Sequence, residues 1–180
     1  CAAFVDFADT LQGIPFQQDF HAVKELKRTG YAPDDAVFIN GQSGDFLTGN
    51  HIPSTLAEAR PNTASEADWR AVVDAAIEKH FDLWGVLKTP DRLSRIEELL
   101  RRDLMDSGVE EFTEIPAFAL FEALEYKNRQ SKYVVAGQRT YEWHGFDWRL
   151  PLWDNAFIDF WQRVPLAEKL GQKLFADTLR

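Results

Sequence analysis

Ala36-Val37-Phe38-Ile39-Asn40-Gly41-Gln42-Ser43-Gly44-Asp45-Phe46-Leu47 is the stretch whose reading decides the fold. It opens with an apolar run that lacks polar alternation, the pattern of a strand buried on both faces of a parallel sheet. Pro33-Asp34-Asp35 in front of it supplies a turn. A lone buried strand cannot satisfy its own backbone amides and carbonyls. Its neighbours are therefore expected from a segment that precedes this chain. A glycine-rich loop follows over 41–53. Small residues let backbone amides approach phosphate oxygens, a following helix N-terminus adds positive potential, and an acid there can hold Mg²⁺. Asp45 occupies that position. The competing reading is a tight structural turn with Asp45 capping a helix.

Outward from this stretch the chain reads as helices. On the N-terminal side, residues 1–16 suggest a short helix and turn. Residues 17–29 suggest a helix with Phe20, Val23 and Leu26 inward, stopped by Gly30. On the C-terminal side, a helix is expected over 65–84, opened by a capping-box-like Ser65 and Asp68. Its stripe runs through Trp69, Val72, Val73, Ala76, Ile77, His80 and Phe81. A second helix is expected over 90–107, with Thr89 as N-cap, Pro90 at its first position and Gly108 as stop. Leu93, Ile96, Leu100 and Leu104 form its stripe. A third starts near Pro116 and runs past Tyr126 toward Ala136, and two more cover about 155–162 and 166–178. The expected class is α/β, predominantly helical with few strands, as one domain over 1–180.

Composition bounds the function. A share of 45% hydrophobic residues supports a packed core. The net charge of −9 argues against general nucleic-acid binding. It leaves ATP open, because local amides and metal ions meet nucleotide phosphates. Cys1 is the only cysteine, so no disulfide forms within the chain, which fits a cytoplasmic setting. No apolar run approaches the roughly 20 residues of a membrane span. The chain reads as a trimmed or partial product. A catalytic N-terminal Cys1 is the sharper reading of its first residue, but Ala2-Ala3-Phe4 does not continue as such nucleophiles do.

The loop Ile39-Asn40-Gly41-Gln42-Ser43-Gly44-Asp45-Phe46-Leu47 resembles the Leu-Ser-Gly-Glu-Gly-Ala-Asp-Glu-Leu loop of asparagine synthetases. Further on, Asp147-Trp148-Arg149-Leu150-Pro151-Leu152-Trp153-Asp154 resembles their Glu-x-Arg-x-Pro-Phe-Leu-Asp, with Arg139 and Gly145 upstream also in family positions. The order and wide separation of the two motifs match as well, so the resemblance spans nearly the whole chain. It implies the C-terminal part of a PP-loop (adenine-nucleotide alpha-hydrolase-like) synthetase domain. In that family ATP activates a carboxylate as an acyl-adenylate, and ammonia from glutamine makes the amide. The resemblance assigns Gly41, Ser43 and Gly44 to pyrophosphate contact and Asp45 to Mg²⁺. Lys173 is the candidate for the lysine that stabilises the leaving pyrophosphate, beside the reading of an exposed lysine on an amphipathic last helix. Arg149 belongs either to the synthetase signature or to a helix-entry salt bridge, and Asp154 reads as an N-cap.

Departures from the family qualify this. Its loop glutamate is Gln42 here, and an amide cannot take up a proton as a base. Asparagine as the product is therefore in question, and relatives from surface-polysaccharide biosynthesis amidate other carboxylates. The Ser-Gly-Gly-x-Asp-Ser ATP loop and the glutaminase motifs are absent from these residues. The implied partners are a small-molecule carboxylate and a glutamine amidotransferase domain or other ammonia source. The chain alone is expected to show no synthetase turnover. The alternative is a non-catalytic helical binding or scaffold relative. A hydrolase with Ser43 as nucleophile fits poorly, because the Gly-x-Ser-Gly spacing is wrong and no triad partners stand out. His21, His51, His80 and His144 show no metal-ligand spacing, and each reads first as a surface or partly buried histidine without a functional role; a substrate contact is the alternative for His51, which follows the loop.

Overall fold

A computed structural model describes residues 2–8, 17–57, 66–109, 112 and 115–180. The fold is predominantly helical with two short strands. β1 (Val37–Ile39) pairs in parallel with β2 (Asp147–Arg149), in the register Val37 with Asp147, Phe38 with Trp148 and Ile39 with Arg149. Two expectations are corrected here. One neighbour of the strand, β2, comes from this chain. The strand is not buried on both faces: Phe38 is half-buried, whereas Val37 and Ile39 are 46% and 72% exposed. Period-2 geometry sends Phe38 one way and its neighbours the other. Only the Phe38 face meets a core, where its ring lies 4.7 Å from Tyr141 and 5.1 Å from Phe146.

The chain divides into two compact units. The first comprises Cys1–Thr48 and Tyr126–Pro165. It holds both strands with α1 (Ala2–Ala8), α2 (Phe20–Thr29), α3 (Gly44–Leu47), α8 (Arg139–Trp143) and α9 (Asn155–Arg163). Gly30 ends α2 in the left-handed region at φ 63°, its N–H reaching the carbonyls of Leu26 and Lys27, as the sequence requires. Val23, Tyr141 and Phe146 form the core behind the strands. Phe4, Ala8 and Phe20 form a second cluster, with the Phe4 and Phe20 rings 4.6 Å apart. The turn expected before residue 16 falls outside the described residues.

The second unit comprises Gly49–Glu125 and Leu166–Arg180. It contains α4 (Ser54–Ala57), α5 (Glu66–Phe81), α6 (Pro90–Met105), α7 (Ala117–Leu124), α10 (Leu166–Lys169) and α11 (Lys173–Thr178). A 3-10 turn, Asp82–Leu87, connects α5 to α6. Trp69, Val72, Val73 and Ala76 of the expected stripe are buried against Leu56, Leu104, Leu120, Phe121 and Leu124. Apolar burial of this kind gives roughly 1.5–3 kcal/mol per large side chain. Thr89 and Pro90 start α6 as expected, and Gly108 follows it at φ 90°. The Ser65 cap of α5 lies outside the described residues. The last helix is interrupted: Gly171 and Gln172 both take positive φ, so α11 begins only at Lys173.

After α7 the backbone winds as a π-helix over Glu125–Val135. Ser131 marks the wider turn by donating its hydroxyl to the Tyr126 carbonyl five residues back, at 2.8 Å. Such windings recur at functional sites because they re-aim side chains that an α-helix would place elsewhere.

Candidate functional site

In the first unit, the parallel strand pair brings together the two motifs that the sequence holds about a hundred residues apart. Asn40 leaves β1 and donates its backbone N–H to the Arg149 carbonyl at 3.0 Å. Its side-chain amide donates to Gln138 Oε1 at 2.7 Å, and Gln138 in turn donates Nε2 to the Val134 carbonyl at 3.0 Å. Gln138 is fully buried, so this chain of amides ties the start of the loop to the winding that follows α7. Neutral amides of this kind satisfy one another at modest net gain but are costly to leave unpaired.

Ser43 sits at φ 69°, a left-handed conformation unusual for a residue with a Cβ. Its hydroxyl donates to Gln130 Oε1 at 3.0 Å. Both side chains are buried. Gln130 Nε2 and Gln42 Oε1 are buried with no hydrogen-bond partner, so the loop's surroundings hold one unmatched donor and one unmatched acceptor. Gly44 packs so closely on the second motif that a Cβ there would lie 2.5 Å from Leu152 Cδ1. Its lack of a side chain thus serves packing against Leu152. Gly41 differs, with open space where a Cβ would stand. Asp45 is exposed, in the first turn of α3. That helix has four residues, too short for the helix-end potential invoked from sequence. Thr48 closes the segment by donating its hydroxyl to the Gly44 carbonyl at 2.8 Å.

The second motif is ordered from the same side. Arg149 is exposed and donates Nη1 to the Trp148 carbonyl at 2.7 Å. Among the described residues it makes no ion pair, so the helix-entry salt bridge is not formed. Asp154 caps α9, its Oδ1 accepting the Ala156 N–H at 2.8 Å, as the sequence suggested. Trp153 stacks on Tyr126 with ring centroids 4.9 Å apart. Gly41, Gln42, Ser43, Gly44, Asp45 and Arg149 are therefore brought together in the first unit. Lys173 belongs to the second unit, where it is half-exposed and ion-paired to Glu168. That hydrogen bond pushes its ammonium pKa upward.

The second unit carries a charged cluster that the sequence did not reveal. Glu125, its side chain 1% exposed, accepts from Lys79 Nζ at 2.8 Å and contacts His51 Nδ1 at 3.2 Å and His80 Nε2. Burial alone pushes this carboxyl up, but the hydrogen bonds from His51, His80 and Lys79 outweigh it and hold Glu125 well below the usual carboxylate range. Nearby, Lys169 is buried and pairs with Glu122 at 2.7 Å. There burial prevails over the lysine, and Glu122 is shifted upward. His51 thus faces Glu125. Among the described residues no group of three or more His, Cys, Asp or Glu side chains is arranged to hold a metal ion. No described helix is long and apolar enough to cross a membrane.

Comparison with protein-family models, with curated proteins and with solved structures finds no match for this chain.

Proposed function

We propose that this chain carries part of the site of an ATP-dependent, amide-forming ligase of the asparagine-synthase type, on a PP-loop-like domain. One observation carries the reading. The two motifs that suggested a shared site from sequence lie side by side, Ile39 in register with Arg149 and Gly44 against Leu152.

The residues fit the implied groups at one edge of the loop. Gly41 leaves room for a close approach to backbone, and Asp45 is a solvent-accessible carboxylate. Mg²⁺ takes only one or two carboxylates when phosphate oxygens and water complete its shell, so a single acid suffices for an ion that arrives with the nucleotide. Gly41 and Asp45 would hold the Mg²⁺-diphosphate portion. Bound ATP would supply carboxylate activation, and the ion would offset charge on the departing pyrophosphate. Ser43 and Gly44 act here as positioning residues, because the Ser43 hydroxyl is committed to Gln130 and Gly44 is covered by Leu152. Gln42 cannot act as a base, so an incoming ammonia would be oriented rather than deprotonated by it. Arg149 offers an exposed guanidinium to an acceptor carboxylate. The acceptor would be a small-molecule carboxylate and the nitrogen source a glutamine amidotransferase domain or free ammonia. Asparagine or a surface polysaccharide precursor would be the product, in a cytoplasmic setting.

The covered Gly44 and committed Ser43 favour a second reading, a helical scaffold in which the loop is only a latch between β1 and the π-helical winding. Titration calorimetry with pyrophosphate, with and without Mg²⁺, separates the two. The ligase reading expects Mg²⁺-dependent binding that Asp45→Asn removes while the helical circular dichroism is retained. Binding that ignores both Mg²⁺ and Asp45→Asn, or no binding at all, leaves the scaffold.

A further inference from the structure

Ser43 stands at the N-cap position of α3 but makes no side-chain capping bond there. A serine in that position ordinarily turns its oxygen to the first amides of the helix, from an extended backbone. Here the backbone is left-handed, at φ 69°, and the hydroxyl donates instead to Gln130 Oε1 at 3.0 Å. Both features cost the fold something, because a left-handed conformation is disfavoured for a residue with a Cβ and a capping bond is forgone. Gln130 adds a third cost: its Nε2 is buried with no hydrogen-bond partner among the described residues. The side chain is 1% exposed, so solvent does not relieve it. An apolar side chain of similar length would avoid that penalty.

Gln130 therefore contributes position more than stability. It comes to the loop from the π-helical winding over Glu125–Val135, and the same stretch reaches the loop at two further points. Tyr126, near its start, stacks on Trp153, whose neighbour Leu152 covers Gly44. Gln138, just beyond its end, accepts from the Asn40 side-chain amide at 2.7 Å. Of these three ties, only the one at Ser43 holds a residue with a Cβ at positive φ.

We propose that Gln130 is a positioning residue: its bond to the Ser43 hydroxyl holds the loop 41–45 in the left-handed bend and so fixes Gly41 and Asp45 relative to each other at the outer edge. Gln130 acts in this role only through Ser43. The conformation follows from the contacts themselves, whereas its consequence for a Mg²⁺-diphosphate rests on the ligase reading.

Backbone chemical shifts of residues 40–46 in the isotope-labelled full chain test this, read beside urea unfolding. In the wild-type chain the shifts of Ser43 are expected to report a positive φ. Gln130→Met removes the bond and the unmatched donor together. It should move the resonances of 42–45 and take Ser43 out of the left-handed region, with the urea midpoint at or above the wild-type value. Ser43→Gly supplies the bend without the bond, since glycine takes positive φ freely. Adding Gln130→Met to Ser43→Gly should therefore leave the loop shifts of Ser43→Gly unchanged. Pyrophosphate titrated with Mg²⁺ should bind Gln130→Met about tenfold more weakly than wild type, because a loop that must be ordered on binding loses affinity. In the Ser43→Gly background the same change should cost less than about threefold. Loop resonances that stay at their wild-type positions in Gln130→Met overturn the proposal. So does a clear fall in the urea midpoint, which would make the bond a structural tie, or a loop that moves equally in both backgrounds. A wild-type chain that binds no pyrophosphate counts against the ligase reading alone, and the shifts still decide the role of Gln130.

Discussion

Glu125→Gln should be among the most destabilising conservative changes in the second unit, and its cost should depend on pH in a defined direction. The carboxylate is almost fully enclosed and answers Lys79, His51 and His80 together. Glutamine keeps the shape but removes the charge and turns one acceptor into a donor facing cations. Removing one partner of a buried ionic cluster costs about 3–5 kcal/mol. The sign of the pH dependence follows from the depressed folded pKa. The stabilisation is fully present above the unfolded carboxyl's titration, near pH 4.3. It is lost as pH falls below that value toward the folded one. Over that interval the gap between wild type and variant should narrow by about 1.4 kcal/mol per pH unit. Urea unfolding of both proteins at pH 5 and near pH 3.3, followed by circular dichroism, reads this directly. With urea m-values of about 1–3 kcal/mol/M, the pH 5 midpoint should drop by 1 M or more. A cost under about 1 kcal/mol at pH 5, or a gap that stays constant or widens on acidification, would refute the claim that Glu125 is held ionised by its partners.

Gly49 has φ 98°, and a Cβ there would overlap the Lys169 carbonyl oxygen and lie 2.8 Å from its carbon. Gly49→Ala should therefore cost at least about 3 kcal/mol, as backbone strain and overpacking add. Gly41→Ala, with open space at the same atom, should stay within about 0.5 kcal/mol. Equal melting curves for the two variants would discredit the close approach of Lys169 to Gly49. Asp154→Ala should lose about 1 kcal/mol through the missing cap on α9, and Asp154→Ser should recover most of it in the same denaturation assay.

The sequence makes legible those features that depend on local chemistry. Thr89-Pro90 and Gly108 bracket α6 because capping and a fixed φ act within one turn. Gly30 stops α2 for the same reason. The strand at 37–39 was legible in position but not in burial. An unbroken apolar run is ambiguous between a covered and an uncovered second face, and only Phe38 finds a core. Its partner Asp147–Arg149 is three residues long, with charges at both ends, so no periodicity could announce it. Gln130 and Gln138 carry no signal in the sequence that marks them as buried partners of the loop. The π-winding over 125–135 brings them into the structure, and such winding has no compositional signature. Glu125 stands 45 residues from His80 and 74 from His51, so its cluster is a product of tertiary packing alone.

The loop's own contacts set the terms on which the ligase and scaffold readings compete. Asn40 and Ser43 are fastened to Gln138 and Gln130, and Gly44 is pressed on Leu152, so this half of the bend is committed to holding the two motifs together. That commitment is all a latch requires, so it favours the scaffold unless the loop does something more. The outer edge holds the open approach at Gly41 and the exposed carboxylate of Asp45. A catalytic loop of this kind needs a rigid inner half so that its outer half presents charge at a fixed position, since electrostatic catalysis depends on groups that need not reorganise. Asp45 is therefore the residue on which the two readings make opposite demands, and its response to Mg²⁺ and pyrophosphate carries more weight than any further contact on the packed side.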